Sequence, residues 1–483
     1  MNKKIIIDPV TRVEGHGKVT IHLDEYGQVK DAFLHITEFR GFERFIQGHP
    51  YWEAPLLVQR LCGICPVSHH LAAAKAIDQI VGIDPNDLSP TATKLRRLMH
   101  LGQVFQSHAL HFFYLASPDL LFGVDAPVEK RNVVAVAAEN RDLAVKGITM
   151  RKFGQEIIKA IAGKRIHGIV AVPGGVHKTF TSEDRDYFLD GRNIENIDTM
   201  IEWSLAMIDF IKGYHEQHRK FMDEFAQFPS GHLGMVTDDG AMDLYDGKLR
   251  AIDSEGQITL NDISTDFYDE YFSEAVEKWS YMKFPYLTKI GREKGWNRVG
   301  PLARINICNY IPTPLAENAR QEFVSFTGNK VNNSTLYSHW ARLIEILYCA
   351  EEMKALLHDP ELMGDDLVRK GIPRLKGIGI IEAPRGTLTH RYEVDENGMI
   401  TRCNLIVSTT NNNEALNAAV RWVASNVIDR KGMVTDGMLN QVEVAIRAYD
   451  PCLSCATHSL GKMPLQLEVY NHDGELIKRT SKQ

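Results

Sequence analysis

Four cysteines stand as two Cys-x-x-Cys pairs near opposite ends of the chain, Cys62 with Cys65 and Cys452 with Cys455. This spacing lets both sulfurs of a pair reach one ion from a single turn or helix start. A bound metal holds them as thiolates. Together the pairs supply a four-sulfur shell for a soft metal. On the residues alone three readings stand: a structural zinc, an iron–sulfur or nickel site, and unrelated pairs, one of them a redox disulfide. Structural zinc usually staples a short local unit, whereas these pairs lie about 390 residues apart. Each pair is also wrapped by charge and imidazole. Arg60 precedes the first and His69 follows it; Asp450 precedes the second and His458 follows it.

The elements that must carry these pairs can be read from periodicity. Val19, Ile21 and Leu23 alternate with polar residues, Asp24-Glu25-Tyr26-Gly27 is a turn, and Ala32, Leu34 and Ile36 return. Directly after the first pair, Leu71, Ala74, Ile77 and Ile80 repeat at helical spacing. Further helices are expected at 90–118, 134–163, 196–227 and 334–358, long enough to suggest a central bundle. Residues 228–265 read as loop with short strands. A hairpin is expected at 376–408 with Asp395-Glu396-Asn397-Gly398 as its turn, and helices at 413–427 and 435–448 lead into the second pair. The tail contains Leu465, Leu467, Val469 and the turn Asn471-His472-Asp473-Gly474, which suit a small hairpin or a segment removed later.

Composition bounds the rest. A chain of 483 residues, 44% hydrophobic and 24% charged, can bury a large globular core and by length could hold two to four domains. A net charge of −7 argues against nonspecific nucleic-acid binding. No apolar run reaches the ~18 residues of a membrane span. The start, Met1 to Asp8, is too short in apolar residues for a signal-peptide core. Seven cysteines are too few and too uneven for a disulfide framework, and reduced thiols point to the cytoplasm.

With their wrappers, the pairs resemble the two signatures of the large, catalytic subunit of nickel–iron hydrogenases. These read Arg60-Leu61-Cys62-Gly63-Ile64-Cys65-Pro66-Val67-Ser68-His69 and Asp450-Pro451-Cys452-Leu453-Ser454-Cys455-Ala456-Thr457-His458. The resemblance runs through the whole chain. Asp8-Pro9-Val10-Thr11-Arg12-Val13-Glu14-Gly15-His16, Phe39-Arg40-Gly41-Phe42-Glu43, Val172-Pro173-Gly174-Gly175 and Glu382-Ala383-Pro384-Arg385-Gly386 are similar to its other motifs. The wording around the cysteines looks most like the cytoplasmic, NAD-reducing heteromeric branch. The implied fold is α+β and predominantly helical, with a long central helix bundle, an N-terminal β-hairpin region and a small C-terminal β region. Residues 1–458 would form one interwoven catalytic unit: 1–50 rich in β, 51–375 mainly helical, 376–458 a hairpin plus helices and the second motif. Residues 459–483 would be a removable extension.

The resemblance also implies roles. Cys62 and Cys452 would be terminal nickel ligands, and Cys65 and Cys455 would bridge nickel to an iron carrying cyanide and carbon monoxide. Pro384, Arg385 and Thr409 would face those diatomic ligands. Ser408 stands where many relatives have proline, and Ser107 where many have aspartate. Dihydrogen would be split heterolytically, with the Cys452 thiolate as base, Glu14 as the gate that takes the proton onward, and Arg385 as a positioning charge. Glu43 and His458 would hold magnesium or a similar ion, an unusual pairing because imidazole is a less typical ligand for it. Arg60, His69 and Asp450 would orient the thiolates.

A maturation endopeptidase would cut after His458 once nickel-insertion chaperones have loaded the site. No NAD, flavin or iron–sulfur cluster is expected in this chain, so an iron–sulfur small subunit and a flavin and iron–sulfur diaphorase module are the implied partners. Other hydrogenase branches with another acceptor and a hydrogen-sensing regulator are the alternatives; the tail argues against a sensor. The quinone-reductase subunit of respiratory complex I, a structural relative, lacks the four cysteines. Outside the motifs, Cys308, Cys349 and Cys403 read as isolated buried thiols, and His215 and His218 as surface histidines.

Overall fold

The computed structural model describes residues 4–191, 195–428 and 434–458, and the backbone of two strands at 465–470 and 476–482. The alternating N-terminal segment forms an antiparallel sheet of β1 (Lys4–Ile7), β2 (Gly17–Leu23) and β3 (Val29–Ile36), in which Val19 pairs with Leu34 and Ile21 with Ala32. Those four side chains are fully buried. The periodic stretch after the first pair is helix α1 (Pro66–Ile80), with Pro66 at its first position and every residue but Lys75 buried. A helix buried all round belongs at the centre of a large core.

Helix α2 (Pro90–Leu110) is capped by Ser89, whose hydroxyl accepts from the Ala92 N–H at 3.1 Å. The expected 90–118 helix runs on to Phe122 through one π-helical turn at His111–Ala116. Helices α3 (Arg141–Ala162), α4 (Ile197–Gln217) and α5 (Ser338–His358) complete the bundle, α3 and α5 both packing on α2 and α4 on α5. Residues 228–265 hold β4 (Gly231–Val236), β5 (Lys248–Ile252) and β6 (Ile258–Ile263).

The hairpin expected at 376–408 is larger than that. It is a three-stranded antiparallel sheet of β7 (Lys376–Ala383), β8 (Gly386–Val394) and β9 (Ile400–Ile406), with the turn at Asp395–Gly398 joining β8 to β9. Here α1 lies directly on β7. A Cβ at Gly377 would stand 1.9 Å from Ala76 O, and one at Gly379 2.0 Å from Ala72 O. Only glycine permits so close an approach, and it fixes the first cysteine pair relative to the β7–β8 corner. Helices α6 (Asn413–Val427) and α7 (Asp436–Ala448) then lead to the second pair.

One cluster of buried apolar residues extends from Ile7 to Ala456 and contains all four motif cysteines. In the tail, β10 (Leu465–Tyr470) pairs antiparallel with β11 (Leu476–Lys482), as a hairpin should; its expected turn at 471–474 lies outside the described residues. Among the described residues no helix is long and apolar enough to cross a membrane.

Candidate metal centre

The fold brings the two pairs together. The four Sγ atoms of Cys62, Cys65, Cys452 and Cys455 all lie within 4.8 Å of one another, and all four residues are buried. Across the motifs, Cys62 faces Cys452 at 3.2 Å and Cys65 faces Cys455 at 3.8 Å. Hydrogen bonds from neighbouring thiols, Cys452 first, draw Cys62 well below the ordinary thiol range and Cys65 down to about 6. Burial pushes Cys452 and Cys455 up.

The first pair also has backbone support. The N–H groups of Ile64 and Cys65 donate to Cys62 Sγ at 3.2 and 3.4 Å, and Cys65 is the N-cap of α1, whose positive end favours thiolate. Four buried sulfurs this close, without a disulfide, are the donor set of a soft-metal group.

The second pair sits on a loop held by other segments. Leu453 N donates to Glu14 O at 3.0 Å, and Glu14 and Cys452 form a parallel β-bridge. That pairing sets the Glu14 carboxylate on the cluster: Cys452 Sγ donates to its Oε2 at 3.0 Å, and Ser454 N does so at 3.1 Å. Thr409 Oγ1 accepts from Cys452 N at 2.9 Å. Arg385, at the β7–β8 corner, donates from Nε to the Asp450 carbonyl and from Nη2 to Asp450 Oδ1 at 2.9 Å. Burial opposes its charge, but Asp450 and the neighbouring thiols hold its pKa well above the ordinary value. Its Nη1 reaches Ser107 Oγ at 3.4 Å, so the missing aspartate is replaced by a neutral partner. Pro384, Arg385, Ser408 and Thr409 line a small cavity with Cys65 and Cys452.

The flanking residues divide. Arg60 is exposed and acts at one remove: its Nη1 meets His167 Nδ1 at 2.7 Å, and His167 Nε2 meets Cys62 O at 3.2 Å. His69 is buried and bonds to His390. Glu43 lies apart from the sulfurs, receiving Lys283 Nζ at 3.1 Å, Asn404 Nδ2 at 3.1 Å and Leu405 N at 2.8 Å. Lys283 also pairs with Glu274. His458 is buried, neither ring nitrogen has a partner, and burial lowers its pKa to about 3; Glu274 Oε1 is likewise unpartnered. Two carboxylates share one ammonium there, and Lys283 is the charge from that group that acts on the His458 imidazole, so carboxylate oxygens and a ring nitrogen are available to a cation in this region.

His215 corrects the sequence reading: it is fully buried against Tyr337 and Trp340, not at the surface. Cys308, Cys349 and Cys403 are buried thiols, as read.

Two buried networks had no sequence signal, because their members come together only in the fold. Arg304 bonds both Glu345 oxygens at 2.6 Å and Glu382 at 2.7 Å, and donates to the carbonyls of Ala383 and Pro384 at 3.0 and 3.4 Å. It thereby holds the Arg385 corner. Asp119 binds Arg12 and Arg447, and Arg447 Nη1 donates to Thr11 O at 3.2 Å, clamping the Glu14 segment to α7. From Ser454, Oγ donates to Glu38 at 3.2 Å, and Glu38 meets His16, an exposed imidazole, at 2.6 Å.

Comparison with known proteins gives a consistent result. The sequence profile described as nickel-dependent hydrogenase matches residues 40–141 and 232–458, and one described as HoxL-like matches residues 4–39. The chain is 50% identical, over 99% of both chains, to the NAD-reducing hydrogenase HoxS subunit beta of Cupriavidus necator. It superposes with a TM-score of 0.91 and 53% identity on the crystal structure of an NAD+-reducing nickel–iron hydrogenase in the H2-reduced state, covering 94% of this chain and 99% of that one. A Ni-Fe-Se hydrogenase from D. vulgaris Hildenborough, at 22% identity and a TM-score of 0.73, shares the fold over 95% of this chain and 100% of that one.

Proposed function

The chain belongs to the nickel-dependent hydrogenases, and we propose that it is the catalytic large subunit of an NAD-reducing nickel–iron hydrogenase, interconverting dihydrogen with protons and electrons. The observation that carries this is the buried four-thiol cluster with a carboxylate 3.0 Å from one sulfur. When bound, the nickel–iron group supplies the acceptor for the electron pair of the H–H bond. The protein's own residues do the rest. Cys62 and Cys452 would hold the nickel, and Cys65 and Cys455 would be shared between nickel and iron. The Cys452 thiolate takes the proton, because it alone of the four has a carboxylate acceptor against its sulfur. Glu14 receives it; Ser454 meets Glu14 only through its backbone N–H, while its hydroxyl, Glu38 and the exposed His16 form a separate hydrogen-bonded line to the surface beside it. Arg385 stays charged, held by Asp450, and acts by position and field. With Pro384 and Thr409 it lines the cavity that would take the iron's cyanide and carbon monoxide. Thr409 Oγ1 already accepts from Cys452 N, which leaves its proton free to donate into the cavity.

Glu43 and His458 hold magnesium or a similar ion. The unpartnered His458 ring and the two carboxylates around Lys283 support this. The C-terminal segment from Ser459 is a propeptide, cut after His458 by a maturation endopeptidase once chaperones deliver nickel. Intact mass of the loaded protein tests this step. Electrons leave through an iron–sulfur small subunit and a flavin-bearing diaphorase module to NAD, in the cytoplasm. Metal analysis with infrared spectroscopy tests the whole reading. Nickel and iron near one each, with bands from bound cyanide and carbon monoxide, support it; zinc alone overturns it.

A further inference from the structure

Behind the cluster lies a chain of three buried side chains that the proposed chemistry does not use. His69 is on α1, one turn beyond Cys65, and lines the cavity with Cys65, Arg385 and Cys452. Its Nδ1 meets His390 Nε2 at 3.1 Å, and His390 Nδ1 meets the Tyr392 hydroxyl at 2.8 Å. His390 and Tyr392 are both 0% exposed, and His69 is 1% exposed. His69 Nε2, at the end of the chain, has no protein partner.

The protons in this chain can be counted. Burial holds His390 neutral and keeps the phenol of Tyr392 protonated, so each of these two has one proton to place. Among the described residues the phenol has one partner, His390. If His390 donated to it, the phenol's own proton would be buried without an acceptor and would bear its full desolvation penalty. If Tyr392 donates, His390 Nδ1 accepts, His390 Nε2–H donates to His69 Nδ1, and the His69 proton is left on Nε2. The far end favours the same polarity, because Nε2 shares its cavity with Cys65 and Cys452, and negative charge gathering on those sulfurs favours an N–H there over a bare lone pair.

We propose that Tyr392 and His390 are positioning residues that fix the tautomer of His69, making its Nε2–H a hydrogen-bond donor into the thiolate cavity. The donor then stabilises negative charge on the sulfurs or on an anionic ligand beside them. The consequence for the loaded enzyme rests on the nickel–iron reading; the tautomer itself does not.

The test therefore has two arms. In the full metal-free chain with 15N-labelled histidine, the ring nitrogens of His69 are assigned by difference against His69→Gln. Protonated Nε2 and unprotonated Nδ1 are expected in the wild type, and a mixture of tautomers in Tyr392→Phe. A His69 protonated on Nδ1 in the wild type overturns the proposal whatever metal the protein binds. In the complete, metal-loaded enzyme, Tyr392→Phe should shift the cyanide and carbon monoxide infrared bands. His390→Gln should leave them near the wild-type positions, because an amide can accept from Tyr392 and donate to His69. Unmoved bands in a fully loaded Tyr392→Phe enzyme overturn the wiring. Absence of all such bands from the wild type would instead overturn the nickel–iron reading, while the nitrogen spectra still decide the tautomer.

Discussion

The two halves of the cysteine cluster are built differently. Cys62 and Cys65 stand at the start of a helix buried at every residue but Lys75 that lies backbone-to-backbone on a strand, with N–H groups already aimed at a sulfur. Cys452 and Cys455 stand on a loop after α7. That loop is held by one bridge to Glu14, one hydroxyl from Thr409, and Asp450 in a left-handed conformation (φ 52°) anchored by Arg385. A non-glycine residue in that region costs about 1–3 kcal/mol and persists only where its surroundings hold it. The first half is thus formed by the fold, whereas the second is held closed by side chains and by a segment from the other end of the chain. That asymmetry agrees with the proposed order, in which metal enters before the last residues settle.

At the level of ligands the difference should vanish, and there the largest effect is expected. Cys65→Ser and Cys455→Ser should each abolish hydrogen turnover and leave nickel and iron below stoichiometry in metal analysis. A variant that keeps both metals and activity would remove that cysteine from the ligand set. Next comes the junction of the halves. Glu14→Gln keeps the bridge to Cys452 and removes only the proton acceptor. Turnover and hydrogen–deuterium exchange should fall by about 10²–10⁴-fold with metal content unchanged. Full exchange activity would exclude the gate role.

Acid should loosen the helices behind the first pair. Burial lowers His70, His100 and His108 to about 4 from 6.5, and all three lie on α1 and α2 behind the first pair. Each is neutral in the folded chain and charged in the unfolded chain below 6.5. The stability they contribute is therefore present above pH 6.5 and is lost as pH falls toward 4, by up to about 1.4 kcal/mol per group per pH unit. Hydrogen exchange on the metal-free chain, corrected for intrinsic rates, should show α1 and α2 losing protection between pH 6.5 and 5. Unchanged protection over that window would mean these imidazoles are charged in the fold.

The sequence made the cysteine cluster legible because its parts are local: a Cys-x-x-Cys pair and its wrapper fit within ten residues. The same holds for α1, α5, α6 and α7, whose apolar spacing matches the observed helices, and for β1–β3. What was not legible depends on distant residues meeting. Arg304 with Glu345 and Glu382, and Asp119 with Arg12 and Arg447, are ordinary charges in a sequence and become buried supports only in the fold. His215 misled for the same reason, since its aromatic cover is supplied by residues more than a hundred positions away. The third strand of the β7–β9 sheet was missed because β7, being wholly buried after its first residue, lacks polar alternation.

The smallest effect expected is also the one that isolates the first half. Gly379→Ala adds a single methyl where Ala72 O lies 2.0 Å away and Ala76 N 2.7 Å away. Both neighbours are backbone atoms, so neither can rotate aside, and α1 must shift from β7. Overpacking of this kind costs about 1–3 kcal/mol. The shift should be felt at Cys65, at the start of that helix, before it reaches the loop of Cys452. Thermal unfolding should show the loss in the metal-free chain. In the loaded enzyme, infrared bands displaced with both metals retained would show that the helix sets the position of the first pair. A destabilised enzyme with unmoved bands would mean that the metals themselves, not α1 on β7, fix the geometry of both halves alike.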